Sequence, residues 1–198
     1  MEQSLLERLY VRGKLSAHEI ALRLHCSDNK VNYWLARYGI PKRSISEAIY
    51  ARSNPTGDPF KVKAPASAAD SFLLGIGLGL YWGEGNKRNL TAVRVGNTDP
   101  DLIKIFVRFL EEMYGVEKRK FRFWLQVFSD MNPQAALRFW TRALDVPASK
   151  FGKITITPAR SIGTYREKTK HGVVTVYVSN TKLRNLLVGE IEKLKTIR

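Results

Sequence analysis

Three observations predict an α+β fold in two domains. Residues 1–52 carry short helical patterns and no strand pattern. Residues 53–70 hold Pro55, Pro59, Pro65 and Gly57 with few large apolar side chains, which marks a linker. From residue 71 onward, period-two and period-3.6 apolar patterns alternate along the chain. The reading is an all-α domain at 1–52, a linker at 53–70 and an α/β domain at 71–198. A chain of 198 residues holds one medium domain or two small ones.

The N-terminal domain opens on a helix carrying Leu5, Leu6, Leu9 and Tyr10. Ser16 and Glu19 form a capping-box pair at the start of a second helix, whose apolar face is Ile20, Ala21 and Leu24. His25-Cys26-Ser27 is a tight turn, and Ser27 caps a third helix over about 28–38. Val31, Trp34 and Leu35 point inward there, and Gly39 closes the helix. Asn29, Lys30, Asn32, Tyr33 and Arg37 are left facing out. Two helices joined by a short turn predict a helix-turn-helix. Asn and Lys on its last helix suit adenine, guanine and phosphate. Lys42 and Arg43 extend the basic surface beyond it. A three-helix bundle with a merely polar surface is the alternative.

The second domain begins with a glycine-rich run, Leu73 to Gly85. Gly75, Gly79 and Gly83 recur every fourth residue, which on a helix makes one stripe of bare backbone. Each interior glycine costs about 1 kcal/mol against alanine, so the stripe needs a return, such as close approach of another helix. Glu84 is the single acid at its end. Two such helices packed on their glycines bring two carboxylates together, a pairing able to hold a divalent cation. A tightly packed core helix is the plainer reading.

Strand and helix patterns follow. Leu90 to Val95 reads as a strand, Pro100 starts a helix carrying Leu102, Ile103, Ile105, Phe106, Phe109, Leu110 and Met113, and Gly115 ends it. Lys120 to Phe128 alternates, with Phe121, Phe123, Leu125 and Val127 on one face. Pro133 opens a helix to about Leu144, Ile154 and Ile156 alternate with polar neighbours, and so do Val174, Val176 and Val178. Thr181 to Lys195 is the closing helix. One sheet face is therefore aliphatic. The other carries Arg94, Arg122, Trp124, Gln126, Lys153, Thr155, Thr157, Thr175 and Tyr177, a mixture suited to a duplex groove. Arg160, Arg166, Lys168 and Lys170 form a basic loop, and Lys118, Arg119 and Lys120 a further cluster.

Gly77 to Gly85 resembles the nonapeptide of the LAGLIDADG homing endonucleases. Gly79, Leu80 and Gly85 match it, Gly83 replaces Ala, and Glu84 stands at the metal-binding acid. Trp82 departs where the family often has an acid. Arg94 to Leu102, and Tyr177 to Leu183 before the last helix, are similar to the same family, so the resemblance covers about residues 71–198. It implies an antiparallel sheet and cleavage of double-stranded DNA. It also implies Mg²⁺ held by Glu84 and the Gly83 carbonyl. One motif per chain implies a homodimer, with Gly75, Gly79 and Gly83 at the seam. Asn86, Lys87 and Asn97 are candidates for positioning water, and Lys87 and Arg88 for phosphate.

The net charge of +15 and pI near 10.1 point to a polyanionic partner, nucleic acid first. The start Met1-Glu2-Gln3-Ser4 is not that of a signal peptide, no apolar run predicts a membrane span, and no lipid-anchor motif is evident. Cys26 is the single cysteine and there are three histidines, which excludes an internal disulfide and argues against zinc. The cytosol is the expected compartment, with nucleoid association if the source is prokaryotic. A metal-dependent endonuclease and a non-catalytic DNA-binding regulator both fit, and an RNA-binding splicing factor is the third reading.

Overall fold

The computed structural model describes residues 1–159 and 169–196, and the chain divides into two units, Met1–Pro59 and Phe60–Arg198. In the first, α1 (Gln3–Leu6) runs directly into a π-helical segment, Glu7–Arg12. Helices α2 (Ala17–Arg23) and α3 (Asp28–Arg37) follow. The Ser16–Glu19 capping box is made in both directions, at 3.1 and 2.7 Å. The Ser16 N–H donating to the Glu19 carboxylate is the main cause that holds that carboxyl below its usual pKa. His25 turns the chain between α2 and α3 at φ 49°, a left-handed conformation uncommon outside glycine. Leu6, Leu9, Tyr10, Ile20, Ala21, Val31, Leu35 and Ile40 close the small core.

The sequence predicts no helix between residue 38 and the linker, yet α4 spans Ile45–Ser53. Its signal is the pair Ser44 and Glu47, a second reciprocal capping box. No residue of α4 is buried, so apolar periodicity could not reveal it.

The second unit begins inside the stretch expected as linker. Residues 60–66 are not free: the Lys61 N–H donates to the Tyr114 carbonyl and the Lys63 N–H to Met113, both at 2.8 Å. These bonds satisfy carbonyls at the end of a helix. The elements in order are α5 (Ala68–Glu84), β1 (Val93–Asn97), α6 (Pro100–Tyr114), β2 (Arg122–Phe128), α7 (Pro133–Leu144), β3 (Thr155–Thr157), β4 (Val173–Val178) and α8 (Thr181–Leu194). Strand order is β1-β4-β2-β3. β4 pairs antiparallel with β1 and β2, whereas β3 runs parallel to β2. The sheet is therefore mixed, which corrects the antiparallel expectation. The reason is α7, a crossover helix that returns the chain to the end of the sheet from which β2 started.

One sheet face is packed. Val93, Val95, Phe123, Leu125, Val127, Val174, Val176 and Val178 bury against Tyr81 of α5, Phe106 and Phe109 of α6, Trp140 of α7 and Leu187 of α8. Burying each such side chain contributes about 1.5–3 kcal/mol. Ile156 departs from the expected pattern: on the edge strand β3 it is 57% exposed. Leu90, also expected in a strand, lies before β1 and is exposed.

Candidate nucleic-acid interface

The opposite face is polar because the strand register stacks like positions. Arg94, Tyr177 and Arg122 pair across β1, β4 and β2. Gly96, Thr175 and Trp124 form the next row, and Gln126 pairs with Thr155. Cross-strand bonds fix two of the side chains. Trp124 Nε1 donates to Thr155 Oγ1 at 2.7 Å, and Gln126 Nε2 to Thr157 Oγ1 at 2.9 Å. Trp124 is still 47% exposed, so its ring offers a flat surface to a ligand. Arg122 is exposed and donates to the Arg119 and Phe121 carbonyls.

Gly96 admits the Thr175 side chain: a Cβ there would lie 2.8 Å from Thr175 Oγ1. A hollow on this face, about 260 Å³, is lined by Asn86, Arg94, Gly96, Trp124, Gln126, Thr155 and Thr175. The Arg94 guanidinium lies 5.6 Å from the Tyr177 ring centre, and its buried Nε has no hydrogen-bond partner among the described residues. Lys153 is exposed just before β3. Lys170 is exposed, while Arg160, Arg166 and Lys168 lie outside the described residues.

At the end of α5, Glu84 is exposed and Gly85 turns the chain toward the sheet, where the Asn86 N–H donates to the Arg94 carbonyl at 2.9 Å. Lys87 Nζ folds back onto the carbonyls of Tyr81 and Trp82. It therefore caps α5, and Arg88 remains exposed beside it. Asn97 is used locally, its Oδ1 accepting from the Thr98 and Asp99 N–H groups. Among the described residues, no three His, Cys, Asp or Glu side chains gather into a metal site.

The glycines divide into two kinds. A Cβ on Gly77 would fall 2.0 Å from Phe109 Cγ, so this glycine admits α6. Gly75, Gly79 and Gly83 face open space and carry no contact that needs glycine. Phe72, 70% exposed, and Trp82, 46% exposed, flank this bare ridge. Nothing in the four-residue spacing marks Gly77, which lies outside the stripe, as the glycine that packs.

In the first unit, Asn29, Lys30, Tyr33 and Arg37 are exposed on α3 and Asn32 is half-buried. Arg37 donates to the Tyr33 hydroxyl at 3.2 Å and lies 5.7 Å from the Trp34 ring centre. Lys42 is exposed. Arg43 instead turns inward. It donates to the Lys14 and Leu15 carbonyls, and its guanidinium lies 4.2 Å from the Tyr10 ring centre. That clamp leaves little of Arg43 for phosphate.

What these features define is a mixed α+β protein with an N-terminal helical unit and a small sheet covered by helices on one face. Against known proteins, no family model, no curated protein and no solved structure matches the chain. Among the described residues, no helix is long and apolar enough to cross a membrane.

Proposed function

We propose that this chain binds double-stranded DNA sequence-specifically through the polar sheet face, acts as a homodimer, and cleaves its site with Mg²⁺. The observation that carries the reading is the sheet face itself: arginine, tryptophan and amide side chains in register around one hollow. Arginine suits guanine and phosphate, amides suit adenine, and a strand face can lie in a groove. Charge supports it. Residues 60–198 hold 24 Lys and Arg against 12 Asp and Glu, while residues 1–59 hold 9 against 6. The electrostatic footprint thus lies mainly on the unit with the sheet. The helix-turn-helix, with Asn29, Lys30, Tyr33 and Arg37 exposed on α3, adds a second reading surface. The resemblance to LAGLIDADG homing endonucleases supports the same reading.

Dimerisation rests on the bare ridge of Gly75, Gly79 and Gly83, where a second copy of α5 can approach closely. Among the described residues, one chain alone does not complete a metal site. It offers two oxygens, the Glu84 carboxylate and the Gly83 carbonyl, at the helix end where Lys87 Nζ already rests on the Tyr81 and Trp82 carbonyls. A second copy doubles that set, and DNA phosphate supplies further oxygens. Bound there, Mg²⁺ supplies a Lewis acid and an activated water for phosphodiester hydrolysis. The chain's own part is to present the acid and hold the duplex along the sheet.

A second reading, a non-catalytic DNA-binding regulator, is favoured by one observation: Trp82 and a lone Glu84 leave a single acid at the helix end. One experiment separates the two. Duplexes enriched from a random library by the wild type are incubated with Mg²⁺ and either wild type or Glu84→Gln. Cleavage by the wild type alone, with binding retained in the variant, is the expected result. Tight binding with no cleavage by either protein would establish the regulator.

A further inference from the structure

Arg184 lies on α8, far in sequence from the loop that joins Glu84 to the sheet. Its Nε donates to the Asn89 carbonyl at 3.1 Å and Nη2 to the Lys87 carbonyl, while Nη1 donates to Asn185 Oδ1 at 3.1 Å. A planar fork of this kind meets two carbonyls in a way a single ammonium does not. The loop it grips is built inward from that point. Asn86 Oδ1 accepts the Asn89 N–H, and Asn89 Oδ1 accepts the Thr91 and Ala92 N–H groups. Asn86 also bonds through its backbone to Arg94 and lines the sheet hollow. Upstream, the Tyr81 hydroxyl is buried without a well-formed hydrogen bond, and the Arg184 charge bears on it. One guanidinium thus ties α8 to the loop that begins at Glu84 and sets Asn86 beside Arg94.

Resting on the DNA-binding reading above, we infer that Arg184 is a positioning residue for base readout. Through the Lys87 and Asn89 carbonyls it holds the 85–89 loop so that Asn86 and Arg94 face the groove together. Arg184 touches no DNA itself. Its contribution is therefore to the difference between right and wrong sequences, and not to the general attraction for phosphate. Replacement by lysine keeps the charge and removes the fork.

The test is a random-duplex selection with the wild type, followed by affinity measurements of wild type, Arg184→Lys and Arg184→Ala. The probes are the enriched duplex and a scrambled duplex of equal length. Expected is a specificity ratio roughly tenfold lower in Arg184→Lys, the scale of one lost base contact. Its affinity for scrambled duplex and its salt slope should match the wild type, because the charge is retained. Free guanidinium ion at low millimolar concentration should restore part of the ratio in Arg184→Ala, which a general loss of folding would not allow. Denaturation curves report whether either variant is unfolded, and Arg184→Lys carries the test if Arg184→Ala is. If the wild type enriches a site and Arg184→Lys keeps the full ratio, the positioning role is overturned and DNA binding stands. If the wild type enriches nothing, the DNA reading falls and this inference falls with it.

Discussion

Gly79→Leu is expected to leave the second unit folded and to abolish self-association, whereas Gly77→Leu is expected to prevent folding. The two glycines lie two residues apart on one helix and face opposite sides of it, Gly77 toward Phe109 and Gly79 toward open space. At Gly77 the first added carbon already meets the Phe109 ring at 2.0 Å, and Phe109 is fully buried among Phe106 and Tyr114. Overpacking by a few atoms costs about 1–3 kcal/mol, and a whole leucine at such a place costs more. Domain stability is only about 5–15 kcal/mol, so a cost of several kcal/mol at this one buried ring is a large fraction of it. At Gly79 nothing lies within 4 Å of the added carbon. There the monomer gains about 0.5–1 kcal/mol, the helical advantage over glycine. In a dimer, however, the same leucine keeps the two α5 backbones apart. Urea denaturation and sedimentation velocity on both variants check this pair. A wild type that is monomeric both free and on DNA would remove the ridge from consideration as a seam. A folded Gly77→Leu would contradict the packing described for α6.

The second large effect is in salt. If the sheet face with Arg94, Arg122 and neighbouring lysines engages duplex as proposed, its phosphate contacts carry the salt dependence, because each neutralised phosphate releases counterions. Six to ten such contacts reduce affinity by about 10³–10⁵ between 50 and 200 mM salt. Fluorescence anisotropy of a labelled duplex across that range measures the slope. A flat titration would show that the +15 charge is not engaged with phosphate.

Much of the fold was legible because the chain's patterns are local. Proline at Pro100 and Pro133 places two helix starts, and Gly115 ends α6 at φ 57°. The alternation from Arg122 to Phe128 gives both faces of β2 directly. What was not legible depends on long-range partners. The parallel pairing of β3 is set by how α7 crosses the sheet, and Ile156 is exposed because β3 sits at the edge. Helix α4 has capping chemistry but no buried face.

Of the site, the sheet residues could be gathered from parity alone, since Arg94, Trp124, Gln126, Thr155 and Thr175 line one hollow. Arg43 looked like a phosphate contact by charge, yet its partners are the carbonyls of Lys14 and Leu15, 29 and 28 residues back along the chain. Lys87 likewise caps α5. Arg184 carried no sequence signal, because its partners Lys87 and Asn89 meet it only in the folded unit.

The most direct measurement of duplex binding through the sheet compares two triple variants at one salt concentration. One is Arg122→Ala with Trp124→Ala and Gln126→Ala, which removes a single charge from the polar face. The other is Lys104→Ala with Arg108→Ala and Lys193→Ala, which removes three charges from exposed positions on α6 and α8. With melting curves confirming that both fold, the sheet variant should lose about tenfold or more in affinity for the enriched duplex. The helix variant, despite its greater loss of charge, should stay close to the wild type. A helix variant weakened more than the sheet variant would mean that DNA, if bound, lies elsewhere.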